Sequence, residues 1–179
     1  GAVDLNSKVT CNGGISYGRW HFGCWQKRGH GTVSLHRALV ESCDVYFYEA
    51  GKKLGIDRLA HYARELGLGR ESGVQMMKER RGLIPDTQWK QEKKKQPWYL
   101  GETFNAAIGQ GYVAVTPFQM ARLTSVVASG GYFYPPSLLM VNQKPEPMGK
   151  VKIKDETLDT VKKALFGVVN ENGGAAVSA

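Results

Sequence analysis

A serine and a carboxylate stand two positions apart in the stretch Glu41-Ser42-Cys43-Asp44. A hydroxyl can donate and accept hydrogen bonds at the same time, which makes Ser42 a candidate catalytic residue. The carboxylate of Asp44, when ionised, only accepts. The commoner role of Ser-x-Asp ahead of an apolar run is a helix N-cap, in which Asp44 accepts backbone N–H bonds of the first turn. The three residues alone leave both roles open.

The flanking sequence places Ser42 and Asp44 on a short break between two helices. Before them, Ser34 is a suitable N-cap for a helix with one apolar face. After them, apolar residues recur at helical spacing as far as Leu54, and Gly55 is a typical helix end. Because polar groups at such a break tend to face a cleft, we expect the Ser42 hydroxyl to be open to a groove.

Longer segments around this stretch resemble the transpeptidase domain of class B penicillin-binding proteins, of the elongation type represented by penicillin-binding protein 2. The resemblance runs collinearly from about His30 to Leu139 and is carried by Gly29-His30-Gly31, Ser42-Cys43-Asp44-Val45-Tyr46-Phe47-Tyr48, Leu54-Gly55-Ile56-Asp57-Arg58-Leu59, Trp89-Lys90-Gln91, Lys95-Gln96-Pro97-Trp98-Tyr99, Gly101-Glu102-Thr103, Ile108-Gly109-Gln110-Gly111-Tyr112 and Thr116-Pro117-x-Gln119-Met120. It implies the α/β fold of penicillin-binding transpeptidases and serine β-lactamases. This chain would supply a mainly α fragment of that fold, the helical lobe, with short β elements near its ends.

The family works with three motifs, Ser-x-x-Lys, Ser-x-Asn and Lys-Thr-Gly. Only the second is recognisable here, as Ser42-Cys43-Asp44, with Asp44 in place of asparagine. No serine of the chain has a lysine three residues later, and no Lys-Ser-Gly or Lys-Thr-Gly occurs. We therefore expect an internal fragment of the domain that is inactive alone, since the absent nucleophile removes the covalent step.

The resemblance implies a peptidoglycan D,D-transpeptidase that cross-links stem peptides in cell-wall elongation through an acyl-serine intermediate, and that β-lactams acylate. Ser42 and Asp44 would be the catalytic residues that this chain contributes. Ser42 would relay protons between lysines of the other motifs and the substrate nitrogen. Asp44 would hold one of those lysines or orient the Ser42 loop. No cofactor and no metal are expected.

The resemblance also bears on location and partners. It implies a membrane-anchored parent protein on the periplasmic side of the inner membrane, working with an elongation glycosyltransferase or scaffold proteins. The chain itself contains no apolar run near the ~20 residues of a membrane span and no recognisable signal peptide.

Two other classes of function remain open. A D,D-carboxypeptidase or β-lactamase-like relative shares the middle motif but would lack the Trp89–Tyr99 and Gly109–Gly111 segments. A non-catalytic, basic polymer-binding module would rest on the net charge of +8, which is densest in Lys90–Lys95. A solvated helix face is the usual explanation of such a run, and nucleic acid is not an expected partner.

The three cysteines admit several states. A Cys11–Cys24 disulfide would close a Gly-rich hairpin, add about 2–3 kcal/mol of stability, and indicate an oxidising compartment. Two reduced thiols are the alternative. A zinc site formed by Cys11, Cys24, His21 and His30 is conceivable, but its spacings match no common zinc pattern. Cys43 is expected to be a small buried filler.

The chain is therefore predicted to be one partial transpeptidase domain with three parts. Residues 1–30 form a β-hairpin-like arm that contains the Cys11–Cys24 pair. Residues 31–131 form the helical lobe with the Ser42-Cys43-Asp44 motif. Residues 132–179 form an extended segment, a loop and a last helix.

Overall fold

A computed structural model describes residues 3–74, 78–137 and 145–177 of the chain. Within these ranges short strands and longer helices follow one another in the order β1 (Lys8–Cys11), β2 (Gly14–Tyr17), β3 (Trp20–Gly23), β4 (Gly31–Ser34), α1 (Leu35–Val40), α2 (Asp44–Leu54), α3 (Ile56–Glu65), α4 (Thr87–Lys94), α5 (Leu100–Ala107), α6 (Pro117–Ala128), β5 (Tyr132–Phe133), β6 (Gly149–Lys150) and α7 (Asp155–Asn170). The predicted mainly helical fold with short β elements near the ends is confirmed. None of the helices in the described ranges has both the length and the apolar character needed to cross a bilayer.

The strands form antiparallel pairs. β2 pairs with β3 as a hairpin, whereas β1 pairs with β4, so that Cys11 lies opposite Gly31. β5 pairs with β6 near the other end of the chain. The boundary predicted at residue 30 thus falls between two strands that pair with each other, and the β1–β4 pair joins the N-terminal arm directly to α1.

The local signals for the ends of the helices are confirmed at Ser34 and Gly55, and a further cap is found at Thr116. The Ser34 hydroxyl accepts a hydrogen bond from the N–H of Arg37 and begins α1. Gly55, at a φ of +78°, ends α2. Thr116 caps α6 together with Gln119 in a capping box, in which each side chain accepts the other residue's backbone N–H. These signals are readable in the sequence because a cap depends on residues three or four positions apart.

The main core is built around α2. Its buried residues Val45, Tyr46 and Tyr48 face the strands and α5, and the ring of Phe104 lies 5.7 Å from that of Tyr48. α5 approaches α2 so closely that a Cβ on Gly51 would lie 2.6 Å from the Cβ of Ala107. α2 therefore provides a rigid support for the residues at its N-terminus.

A second cluster joins α6 to α7. Val126 of α6 packs with Val151 and with Leu158 of α7. α7 in turn lies against α1, where the Cα of Gly167 is close enough that a Cβ would meet the Val40 side chain at 2.8 Å. α1 and α2, the two helices that flank the Ser-Cys-Asp stretch, are thus each held by a longer-range partner.

Lys90 departs from the expectation of a solvated basic face. Its side chain is only 2% exposed, and its ammonium group forms an ion pair with Glu102 and donates to the Tyr112 hydroxyl at 3.3 Å. The hydrogen bond to Glu102 is the main reason that the pKa of Lys90 is raised. The other residues of the basic run, Gln91–Lys95, are exposed. Lys90 therefore joins α4 to α5 and is removed from any basic patch.

Replacing Lys90 by methionine should lower the free energy of unfolding by about 3 kcal/mol, because the largely buried Glu102 carboxylate would lose its ionic partner. Lys93→Met on the exposed face of the same helix is the matched control, with an expected change of about 0.5 kcal/mol or less. Unfolding in urea measures both values. Equal effects of the two substitutions would show that the buried pair contributes nothing to stability.

Candidate active site and adjoining thiol cluster

Ser42 occupies a tight turn that ends α1. The N–H of Ser42 donates to the Leu39 carbonyl at 3.3 Å, and the N–H of Cys43 donates to the Ala38 carbonyl at 2.9 Å. These two bonds form a Schellman motif, which requires a left-handed residue at the position that Ser42 occupies, and Ser42 has a φ of +55°. Glycine is usual there, because an L-residue pays roughly 1–2 kcal/mol for this conformation.

The Ser42 side chain is exposed, and it makes no hydrogen bond with the described part of the chain. The break between α1 and α2 thus presents a hydroxyl to the surface. The expectation that this hydroxyl opens to a groove stays a prediction. The geometry leaves both the lone pairs and the proton of this hydroxyl available to another group.

Asp44 is the first residue of α2, and its N-cap is Cys43, which makes no side-chain capping bond. The Asp44 carboxylate instead accepts the backbone N–H of Trp25 at 2.9 Å. The local alternative, in which Asp44 caps the first turn, is therefore wrong. The residue fastens the segment after β3 to the start of α2.

Trp25 is a member of this site that the sequence analysis missed. Its indole N–H is shared between the Glu41 carbonyl at 3.0 Å and the Ser42 carbonyl at 2.9 Å. These contacts span 16 and 17 residues, and the spacing of polar side chains contains no signal for them.

Four possible metal ligands converge immediately beneath the turn: Cys11, Cys24, His30 and Cys43. Their ligand atoms all lie within 4.8 Å of one another, and the three thiols are almost fully buried. The His30 Nδ1 is 3.5 Å from the Cys24 sulfur, and its Nε2 is buried without a hydrogen-bond partner in the described residues. Three thiolates and one imidazole are a donor set of tetrahedral structural zinc sites.

Two glycines allow the ligands to meet. Gly13 and Gly29 both have positive φ, and a Cβ on either would lie within 2.3 Å of a backbone oxygen: that of Lys27 for Gly13, and that of Cys11 for Gly29. The backbone after β1 can therefore approach the segment between β3 and β4 only with glycine at these positions. The four ligands then come from the end of β1, the residue after β3, the residue before β4 and the N-cap of α2.

The thiols differ in their tendency to ionise. Burial opposes ionisation of Cys11, but hydrogen bonds, first from the Gly13 N–H and then from His30, lower its pKa to about 7. Burial raises the pKa of Cys24, and it raises that of Cys43 to about 12. A bound cation would be needed to hold all three sulfurs as thiolates in so small a volume.

Two expectations about the cysteines are corrected. The Cys11–Cys24 disulfide is not formed, and both thiols are free. The conceivable zinc ligand set also differs from the one named from the sequence, because Cys43 belongs to it and His21 does not. His21 lies exposed on β3, where its Nδ1 faces the Ser16 hydroxyl. Cys43 is buried, but it belongs to the cluster and does not merely fill the core.

Comparison with known proteins identifies the family of the chain. The sequence model of the penicillin-binding protein transpeptidase domain matches residues 1–179, the whole chain. The chain belongs to the penicillin-binding protein transpeptidase family. The peptidoglycan D,D-transpeptidase MrdA of Acinetobacter baumannii is 36% identical over 152 residues, which cover 85% of this chain.

Solved structures of this family superimpose on the fold. Penicillin-binding protein PBP2 of Helicobacter pylori, in complex with MreC, is 32% identical with a TM-score of 0.88, covering 97% of this chain and 33% of that one. A second structure is described as the structural coordination of polymerization and crosslinking by a peptidoglycan synthase complex. One of its chains is 34% identical to this chain, with a TM-score of 0.84. The match covers 96% of this chain and 30% of the other. The chain spans about a fifth to a quarter of the length of the curated relatives that it matches.

Proposed function

We propose that this chain forms the part of a peptidoglycan D,D-transpeptidase that carries its second active-site motif. The observation that supports this most directly is the exposed hydroxyl of Ser42, held in a left-handed turn where glycine is usual. Strained, exposed polar residues of this kind concentrate at functional sites. The relatives named as D,D-transpeptidases favour this activity over a carboxypeptidase or a β-lactamase.

In the proposed reaction, the serine of a Ser-x-x-Lys motif attacks the carbonyl of the D-Ala-D-Ala bond in a stem peptide, forms an acyl-serine and releases D-alanine. An amine of a second stem peptide then attacks the acyl-serine, forms the new amide bond and restores the serine. In the first step the Ser42 hydroxyl accepts a proton from the lysine side and gives one to the departing amine. In the second step it passes the proton in the opposite direction. A β-lactam would be attacked in the same way.

Asp44 supports this relay indirectly. Its carboxylate accepts the N–H of Trp25, which fixes the start of α2 against the segment after β3. Of the two roles considered for Asp44, we favour orienting the Ser42 loop over holding a lysine, since this hydrogen bond already engages one of its oxygens.

The parent protein is proposed to lie on the periplasmic side of the inner membrane. The complexes that include MreC and a peptidoglycan synthase assembly support scaffold and glycosyltransferase partners. A polymer-binding function based on Lys90–Lys95 is less favoured, because Lys90 is buried in an ion pair.

Labelling by fluorescent penicillin tests the proposed activity. A full-length protein that carries this chain together with a Ser-x-x-Lys motif should form a covalent adduct that survives denaturation, and the 179-residue chain alone should stay unlabelled. Absence of label on the full-length protein would overturn the proposal. Equal labelling of both proteins would contradict the assignment of the nucleophile to a residue outside this chain.

A second function is supported by the thiol cluster. We propose that Cys11, Cys24, His30 and Cys43 bind one zinc ion with a structural role. The four donors would leave no open position for a substrate, and three buried thiols with one imidazole nitrogen, all within 4.8 Å of one another, are the donor set of a structural zinc site. In a tetrahedral zinc–thiolate site the sulfurs lie roughly 3.7 Å apart, so the four donors would need to contract only slightly around the ion.

A further inference from the structure

We propose that Trp25 is a positioning residue for acyl transfer, which holds the turn of Ser42 in its reactive shape and joins that turn to the thiol cluster. The proposal rests on the proposed transpeptidase function. It assigns to Trp25 no contact with the substrate.

The first support is that one residue contacts the motif on both sides. The indole N–H of Trp25 donates to the carbonyls of Glu41 and Ser42, and its backbone N–H donates to the Asp44 carboxylate. Glu41 is the C-cap of α1, where the last C=O groups have no partner within the helix, and Ser42 is the first residue beyond it. Trp25 therefore supplies the hydrogen bonds that fix the peptide planes before and after the Cα of Ser42. These planes determine where the Ser42 hydroxyl points.

The second support is that the tryptophan is not a packing residue. Its side chain is 55% exposed, so the apolar core does not explain its presence. An indole N–H is a donor only, and here it has two carbonyl acceptors within 3.0 Å. A phenylalanine would retain the ring and lose these bonds.

The third support is continuity with the cluster. Trp25 follows the ligand Cys24 directly, and its ring lies edge-on to that of the ligand His30, with centroids 5.4 Å apart at 68°. The fourth ligand, Cys43, lies between Ser42 and Asp44 in the chain. The cluster and Trp25 thus connect the same two segments, the one that follows β3 and the turn of Ser42. The cluster brings Cys24 of the first segment and Cys43 of the second together, and Trp25 donates hydrogen bonds from the first to the second.

The matched substitutions Trp25→Phe and Trp20→Phe in a full-length protein that carries this chain test the proposal. Trp20 is also an exposed tryptophan, at 62%, and makes no indole hydrogen bond with the described residues. We expect Trp25→Phe to lower the acylation rate constant for fluorescent penicillin about tenfold, with the dissociation constant of the initial non-covalent complex unchanged. Trp20→Phe should leave both values unchanged.

Zinc content and the melting temperature of the transpeptidase domain separate positioning from general stability. The melting temperature of Trp25→Phe should lie within about 2 °C of that of the parent. Its zinc content should lie within about 10% of the parent's. A fall of these two quantities in proportion to the acylation rate would overturn the proposal in favour of a structural role. An acylation rate equal to that of the parent would overturn it outright. If the parent itself takes up no label, it is the transpeptidase function that fails.

Discussion

Replacing Ser42 by alanine is expected to lower the acylation rate constant for fluorescent penicillin by a factor of about 10²–10⁴, which is the usual contribution of a positioned proton-transfer group. Alanine removes the hydroxyl and leaves the Schellman turn intact, since both of its hydrogen bonds are made by the backbone. The dissociation constant of the non-covalent complex should change much less. The reaction must be followed in a full-length protein that carries this chain, because the nucleophile lies outside it in the proposed mechanism.

Ser16→Ala is the matched control for this prediction. Ser16 is likewise exposed, but it lies on β2, and among the described residues its hydroxyl forms a hydrogen bond only with the His21 ring. Its removal should leave acylation at the parent rate. Ser42→Gly provides a second comparison, since glycine adopts the left-handed turn more readily. The glycine variant should be at least as stable as the parent and as slow as Ser42→Ala.

Replacing His30 by glutamine is expected to abolish stoichiometric zinc binding. At a free zinc concentration of about a thousand times the dissociation constant, a bound ion stabilises the folded state by about 4 kcal/mol. For a domain of this size that corresponds to a fall of about 10 °C in melting temperature when the ion is lost. Cys43→Ser should act in the same direction. Metal analysis of the purified protein and calorimetry measure the two effects.

The control for the metal prediction is His21→Gln, which removes the second histidine of the zinc ligand set that the sequence left conceivable. His21 is exposed on β3 and outside the cluster, so zinc content and melting temperature should stay at the parent values. A protein purified without added chelator that contains no zinc, or one in which both histidine variants behave alike, would refute the assignment of the site.

The parts of the site that follow from local sequence were predictable. The start of α1 at Ser34, the end of α2 at Gly55 and the break that presents Ser42 depend on contacts within a few residues. The caps and the apolar spacing therefore indicate them. The left-handed conformation of Ser42 is harder to predict from the sequence, because the left-handed residue of a Schellman turn is normally a glycine.

The remaining features depend on long-range contacts. The four proposed metal ligands come from β1, from both ends of the β3–β4 segment and from the N-cap of α2, and they meet only because β1 pairs with β4 and not with its neighbour in sequence. The bonds of Trp25 to the motif cross a similar distance along the chain. The burial of Lys90, which the basic run predicts to be solvated, has a related cause. Its partners Glu102 and Tyr112 lie on or beyond the next helix. No periodic pattern reports such contacts.

Proton transfer by the Ser42 hydroxyl during acyl transfer can be measured as the ratio of the acylation rate constants of the parent and of Ser42→Ala. Stopped-flow mixing gives both constants, with both proteins folded and loaded with metal to the same extent. We expect a ratio of about 100 or more. A ratio near one, with the domain intact, would show that this hydroxyl moves no proton in the reaction.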